Sequence, residues 1–442
     1  MYTHPILSNL ATAGIRMGLD RLRQFLEHIG YGQLSMPCIH VAGTNGKGSV
    51  CRMLESIYVQ QGIRVGLYTS PHVQRINERV RVDGADISDE KLHLLLEDLY
   101  TQASLWAKES GYTEQQPLTY FEMMTALAIV HFIQSDIELA IFEVGLGGRL
   151  DATNIIQPVV TAIVSVDFDH MEVLGNDLSS IATEKAGIMK KNIPMVLGTL
   201  PTEAMRTVRL LADAKSVPLV AFGKDFFATS IHNDHGRLGY TFLYKEQQIS
   251  DIIVGLLGEH QIENSAIAIA ITQCVDIPLS VENIRKGLLL VNNPGRLEWI
   301  RPTLLLDCAH NPAGAQRLAQ YLQEMKKSLQ QESVKAPKMT LILGASNDKD
   351  IRGISVVLAP YFDRILTTHC NHPRAMSAHE LQKIIASTVP SFAVGPVEDA
   401  IFHCRLDEEI TVVAGSIFLV GAVRDILLQN KENTVQLYNT LN

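Results

Sequence analysis

Residues 38–41 are apolar and read as a buried strand. Directly after them stand Gly43, Thr44, Asn45, Gly46, Lys47, Gly48 and Ser49, and a helical pattern then runs over 50–61. Strand, glycine-rich turn and helix together make the arrangement a phosphate-binding loop needs. Glycines let backbone N–H groups approach the oxygens. The helix N-terminus adds partial positive charge, and a lysine neutralises the terminal phosphates. The match to the ordinary P-loop pattern is imperfect. Val41 stands where that pattern has glycine, and Gly48 where it has serine or threonine. With the hydroxyl displaced, a metal ligand must come from elsewhere in the chain.

The rest of the chain repeats the same alternation. Apolar runs at 38–41, 65–68, 139–144, 159–164 and 194–197 read as strands. Helical patterns lie at 50–61, 88–108, 120–134 and 179–190. Near-continuous apolar strands separated by helices predict a parallel sheet covered on both faces. Residues 222–254 differ: aromatic and β-branched residues around Asn233, Asp234, Gly236 and Gly239 predict a small antiparallel excursion. Helical patterns follow at 260–274 and 281–290. Asn292-Asn293-Pro294-Gly295 is a breaker cluster and marks a domain boundary. The alternation then restarts, with strands at 303–306, 339–343, 364–368 and 411–414. Helices are expected at 313–327, 378–387 and 417–428, and residues 326–338 read as a solvated helix end and loop. The fold class is therefore α/β: a P-loop-type parallel-sheet domain over 1–294, and a smaller Rossmann-like α/β domain over 295–442.

Composition narrows the partners. With 442 residues and 46% hydrophobic content, the chain can bury more than one core. A formal net charge of −9 argues against nucleic acid as the main partner, so anions must be bound by local devices. Six scattered cysteines without a CxxC pair predict reduced thiols and a cytoplasmic setting. Residues 1–10 do not read as a signal peptide. No run approaches 18 uninterrupted apolar residues, so no membrane span is expected.

Three candidate metal ligands follow predicted strands. Ser70 stands after 65–68, Glu143 at the end of an apolar run, and His170 after 159–164, where Asp167 and Asp169 are alternatives. A glutamate inside an apolar strand is costly to bury, which favours a functional role. Ligand crevices in parallel sheets lie at the carboxyl ends of strands, so all three can converge near Lys47. Lys185, on the predicted helix 179–190, reads from its neighbours alone as a surface lysine.

A dispersed set of motifs then resembles the bacterial folylpolyglutamate synthase/dihydrofolate synthase family of the Mur ligase superfamily. The set is GTNGKGS at 43–49, TSPH at 69–72, NERVRV at 77–82, EVGLGGRLDATN at 143–154, Asp169-His170, EKAGI at 184–188, GEHQIEN at 258–264, PGRLE at 294–298 and DCAHNP at 307–312. The resemblance implies an ATP-dependent ligase with its active site in a cleft between two domains. It implies that Gly43 to Ser49, Asn264, Arg296 and Asp307 contact ATP. Ser70 and Glu143 would hold one Mg²⁺, and His170 with Glu143 a second. Lys185 would be carbamylated, and Lys47, Glu143, His170 and Lys185 would form the catalytic set. Residues 17–20 (with Gly18 and Leu19), Thr119-Tyr120-Phe121-Glu122 and Leu150-Asp151-Ala152 would bind 7,8-dihydropteroate. His310, Arg374 and Ser416 would lie near the incoming L-glutamate. LDATN at 150–154 resembles the bifunctional members, which also extend reduced folates. A monomer is implied, with no nucleic-acid or membrane partner.

Overall fold

The computed structural model describes all residues except 1–3, 12–13, 15, 17, 33–35, 113–116, 235, 332–336, 386–388, 405, 407 and 441–442. For 234, 331 and 429–440 it describes the backbone alone. Met17 of the expected 17–20 segment, part of the 326–338 stretch and the end of the expected helix 378–387 thus lie outside the described residues. The chain forms two compact units. One comprises Met1–Gly255 and Gln261–Asn292, the other Leu256–His260 and Asn293–Asn442.

The first unit is built on an eight-stranded sheet. Its strands are β1 (Cys38–Ala42), β2 (Val65–Tyr68), β3 (Val80–Val82), β4 (Ala85–Asp86), β5 (Leu139–Glu143), β6 (Val160–Ile163), β7 (Met195–Leu197) and β8 (Leu219–Ala221). The order is β4-β3-β2-β5-β1-β6-β7-β8. The six strands from β2 to β8 in that order run parallel, while β3 and β4 add an antiparallel edge. The β3–β4 hairpin was not expected from the sequence. Its turn, Asp83-Gly84, has φ of +52° and +81°, the conformation that suits a two-residue hairpin turn.

β1 sits between β5 and β6, so the connections diverge to opposite sides of it. That divergence opens a crevice at its carboxyl end. Covering helices close both faces. Helix Tyr120–Gln134 starts at Thr119, whose hydroxyl accepts the Glu122 N–H. Its inner face joins Phe132, Phe142 and Tyr68, with ring centroids 5.8 and 6.1 Å apart, in one continuous core. Each such fully buried ring contributes about 1.5–3 kcal/mol. Helix Thr202–Lys215, absent from the sequence reading, buries Ala204, Val208 and Ala212 on the other side. The expected helix 179–190 is Leu178–Ala186 and stops at Gly187. The backbone of Arg149 occupies the space beyond it: a Cβ on Gly187 would fall 2.4 Å from Arg149 Cα. The Arg149 N–H also takes the Glu184 carbonyl, at 2.8 Å.

The excursion at 222–254 is an antiparallel sheet of β9 (Phe226–Asp234), β10 (Arg237–Tyr244) and β11 (Gln247–Ile253). Helices His260–Thr272 and Val281–Leu290 follow it. The second of these presses on the helix Lys47–Gln60. A Cβ on Gly287 would meet Ile57 Cα at 2.5 Å, and Ser56 Oγ donates to the Gly287 carbonyl at 2.7 Å.

The second unit carries β12 (Glu298–Arg301), β13 (Leu304–Leu306), β14 (Met339–Leu343), β15 (Arg364–His369), β16 (Ser391–Pro396) and β17 (Ile410–Ala414) in the order β12-β13-β17-β14-β15-β16. All pairs are parallel except β12–β13. All six cysteines are free. Among the described residues no helix is long and apolar enough to cross a membrane.

Candidate active site

Four strand ends of the first unit meet around the glycine-rich loop. β1 leads into Gly43, and the helix begins at Lys47. Gly46 closes the turn with φ +84°, where a Cβ would meet Asn264 Oδ1 at 2.7 Å and Val164 Cγ1 at 2.8 Å. Only glycine fits there without strain. The loop is tied to the end of β6. The Thr44 N–H donates to the Ser165 carbonyl at 2.9 Å, and the Asn45 N–H to Ser165 Oγ at 2.9 Å. Thr44 Oγ1 accepts the Asp167 N–H at 3.0 Å and donates to the Asp167 carbonyl at 3.1 Å. Lys47 Nζ donates to the carbonyls of Gly43 and Thr44, at 2.8 and 3.2 Å. Asn264 Nδ2 donates to Gln261 Oε1 at 2.9 Å, and Gln261 Nε2 reaches Ser49 Oγ at 3.5 Å. The helix His260–Thr272 thus stands against the loop.

Glu143 is buried at the end of β5, in register with Val41 of β1. Its Oε2 accepts the Ser70 N–H at 3.0 Å. A Cβ on Gly48 would lie 3.6 Å from its Oε1. The carboxylate therefore faces the position where an ordinary P-loop carries its hydroxyl. Ser70 follows β2, so two of the three expected metal ligands are brought together. His170 is placed differently. It has φ +49° before the short helix Met171–Leu174, and its Nε2 lies 3.7 Å from Asp169 Oδ1. Among the described residues no group of three or more His, Cys, Asp or Glu could hold a metal on its own.

Lys185 is not a surface lysine: it is 3% exposed. Burial pulls its ammonium down to about 7, with Lys47 adding to the shift and Asp169 and Asp167 opposing it. Lys185, Lys47 and the two aspartates therefore share one electrostatic environment. The amphipathic reading of 179–190 missed this because the sequence does not reveal which helix face meets the strand ends.

The expected acceptor segments also converge. Glu122 Oε2 accepts from the Thr119 N–H at 2.7 Å and from its hydroxyl at 2.8 Å, which caps the helix. The same carboxylate takes the Arg21 guanidinium in a two-pronged ion pair, Nη2–Oε1 2.7 Å. Arg21 fastens the segment holding Gly18 and Leu19 to this helix start. The sequence carried no sign of a pairing across a hundred residues. Phe121 packs on the next loop, since a Cβ on Gly145 would meet Phe121 Cζ at 2.5 Å. Tyr120 lies under the Arg79 guanidinium at 5.3 Å. Asp151 turns into its own loop. Its carboxylate accepts the N–H groups of Leu146 at 2.8 Å and Thr153 at 3.0 Å, and burial raises its pKa. Thr153 continues the network to His40 Nε2 at 2.8 Å. Leu150 and Ala152 flank it.

In the second unit, Asp307 follows β13. Its oxygens accept the N–H groups of Leu297 and Ala309, both at 2.9 Å, and hold the turn that carries Arg296. Burial raises the Asp307 carboxyl, and Arg296 opposes that shift. His310 Nδ1 sits 2.9 Å from the Cys308 carbonyl, and the Gly415 N–H donates to the Ala309 carbonyl at 2.8 Å. Ser416 Oγ accepts the Phe418 N–H at 3.2 Å. His372 stacks on the Phe418 ring at 3.7 Å, and the Arg374 guanidinium lies 5.5 Å from it. His310, Arg374 and Ser416 are thus gathered at the carboxyl ends of this sheet.

Comparison with known proteins shows the family. The Mur ligase middle domain matches residues 41–272, and the glutamate ligase domain of the Mur ligases matches 295–416. Over 423 residues the chain is 31% identical to the dihydrofolate synthase/folylpolyglutamate synthase of Bacillus subtilis, with 93% of this chain and 95% of that one covered. The Escherichia coli protein of the same name is 30% identical, with 95% and 94% covered. Among solved structures, Mycobacterium tuberculosis folylpolyglutamate synthase complexed with ADP and AMPPCP superposes with a TM-score of 0.86 at 30% identity, covering 95% of this chain and 98% of that one. E. coli FolC in complex with DHPP and ADP gives 0.83 at 30% identity, covering 97% and 99%. The chain belongs to the folylpolyglutamate synthase/dihydrofolate synthase family of the Mur ligases.

Proposed function

We propose that this protein is an ATP-dependent ligase that joins L-glutamate to 7,8-dihydropteroate and to reduced folates already carrying glutamate. The observation that carries this is the meeting of Lys47, Glu143 and Ser70 at adjacent strand ends, beside the helix start where Arg21 and Glu122 join. The names of the relatives support both activities.

A carboxylate is a poor electrophile, so it must be activated. Its oxygen attacks the γ-phosphorus of ATP and ADP leaves, which gives an acyl phosphate. The free amine of glutamate attacks the acyl carbon, phosphate departs with the bonding pair, and the amine loses its proton. Charge builds on phosphoryl oxygens in the first step, so positioning and electrostatics dominate. Lys47 moves from the carbonyls of Gly43 and Thr44 to the terminal phosphates. The N–H groups of 43–49 receive the phosphate chain at the helix start. Asn264, Arg296 and Asp307 are the further residues that the family resemblance assigns to the nucleotide. Residues 1–294 would hold the phosphates of ATP and the acceptor, and 295–442 would bring Arg296 and Asp307 to ATP and His310, Arg374 and Ser416 to glutamate.

The ligand set suits Mg²⁺. Ser70 and Glu143 offer hard oxygens and leave most positions to water and phosphate, as this ion prefers. Glu143 and His170 would hold a second ion. Bound Mg²⁺ supplies charge neutralisation at the phosphates. Lys185, buried and with its pKa lowered, fits carbamylation, because the neutral amine is the form that adds CO₂. The protein would act as a cytoplasmic monomer.

The test is a product assay by mass, with each acceptor supplied separately and glutamate in excess. One glutamate added to dihydropteroate, and extension of a reduced folate, are expected. Rapid ATP turnover lacking both acceptor and glutamate would sink the ligase function in favour of a nucleotide-driven switch. Lys47→Ala should abolish ligation and leave the fold intact.

A further inference from the structure

Among the described residues two arginines are at least nine-tenths buried, Arg52 and Arg79, each 9% exposed. Arg52 has Glu55 at 3.5 Å. The less buried arginines of the same region are paired too: Arg21 with Glu122, and Arg81 with Glu55 and Asp86. Arg79 has no carboxylate partner among the described residues. Its Nε donates to His72 Nδ1 at 2.9 Å, and its guanidinium carbon lies 5.3 Å from the Tyr120 ring centroid. Nothing described takes its terminal nitrogens. A buried cation without a counter-ion is costly, and arginine does not relieve the cost by losing its proton.

The position of Arg79 indicates what it awaits. The Arg79 carbonyl accepts the Thr69 N–H at 3.0 Å, so the residue is fastened beside Ser70, at the phosphoryl end of the site. Its ring partner Tyr120 belongs to the acceptor end. Stacking on the ring and bonding through Nε fix the plane of the fork while leaving its outer edge free. That edge matches a carboxylate in two-pronged geometry.

We propose that Arg79 binds a carboxylate of the acceptor. The proposal rests on the ligase function above. Two carboxylates could supply the charge. One is the group to be activated, which dihydropteroate and folylglutamates share. The other is the α-carboxylate of a glutamate already attached, which dihydropteroate lacks.

The test uses the full chain and its variants Arg79→Met, Arg79→Lys and His72→Ala, with each acceptor titrated at saturating ATP and glutamate. Product from the wild type decides the ligase function, and the variants decide the role of Arg79. For Arg79→Met the KM of the folylglutamate should rise roughly 10- to 100-fold, the scale of a lost charge-assisted pair. The KM for ATP should not move. A matching rise for dihydropteroate assigns the reacting carboxylate, whereas a rise for the folylglutamate alone assigns the attached one. His72→Ala should change acceptor KM far less. An unchanged KM for both acceptors in Arg79→Met overturns the proposal. So does a His72→Ala effect as large as that of Arg79→Met, which would reduce Arg79 to a tie for its loop. If Arg79→Met fails to give a native unfolding transition, Arg79→Lys decides by the same KM comparison, since it keeps the charge and loses the fork.

Discussion

The carboxylate of Glu143 receives the backbone N–H of Ser70 at 3.0 Å and so joins the ends of β5 and β2. A glutamine at 143 can still accept that N–H, so Glu143→Gln removes charge without cutting the tie. Ligation should fall roughly 100-fold or more, the scale of a lost electrostatic contact to developing charge. The Mg²⁺ concentration for half-maximal rate should rise. A magnesium titration with ADP release as the readout checks both, and unaltered magnesium dependence would remove Glu143 from the metal site.

Lys185 makes stability depend on alkaline pH. The folded chain gives up this proton near pH 7, against 10.5 for the ordinary side chain. Between those values the unfolded chain binds more protons, so stability rises with pH. Below about 7 both states are protonated and the burial penalty is fully present. Denaturant unfolding in carbonate-free buffer from pH 7 to 9 should show the rise, and Lys185→Met should flatten it. Labelled bicarbonate should add a carbamate ¹³C signal to the wild type that the variant lacks.

Glu122 serves two partners at once, the helix start at Thr119 and the Arg21 guanidinium. Glu122→Ala leaves a mostly buried arginine unpaired, which costs about 3–5 kcal/mol. It also removes a cap worth about 1 kcal/mol. Equilibrium unfolding in urea measures the loss. A change below about 1 kcal/mol would mean that solvent takes over both roles.

Two glycines of one loop should respond in opposite ways. Gly46→Ala meets Asn264 and Val164 below 3 Å at φ +84° and should cost roughly 1–3 kcal/mol, with weaker ATP binding. Gly48 lies within the helix, and its Cβ would make ordinary contacts. Gly48→Ala should therefore hold or gain stability by up to about 1 kcal/mol. Thermal unfolding of the pair settles the contrast.

Much of this was legible in the sequence. The strand before Gly43, the apolar run ending in Glu143 and the turn residues around Gly236 announced local structure by local means. The antiparallel hairpin at 80–86 was hidden because its strands are too short to show a period. Only its Asp-Gly pair signalled a turn. Helix Thr202–Lys215 does carry spaced apolar residues, Ala204, Val208 and Ala212, between two strands. The partnership of Arg21 with Glu122 and the burial of Lys185 depend on which faces meet after folding, and no run of neighbours encodes that. Thr119 and Glu122, placed at the acceptor site by resemblance, have much of their hydrogen-bonding capacity taken up by the helix start.

Lys47, finally, lies folded onto the carbonyls of its own loop, while Ser165 and Asp167 hold that loop from the side. A nucleotide bound there, as proposed, would meet a loop already held in place by these bonds. Little chain entropy would then be left to lose on binding, and the main local rearrangement would be one ammonium exchanging neutral oxygens for charged ones. A ligand without terminal phosphates offers nothing for that exchange. Discrimination between long and short phosphate chains would then come from the swing of a single side chain, with no need for the loop to close.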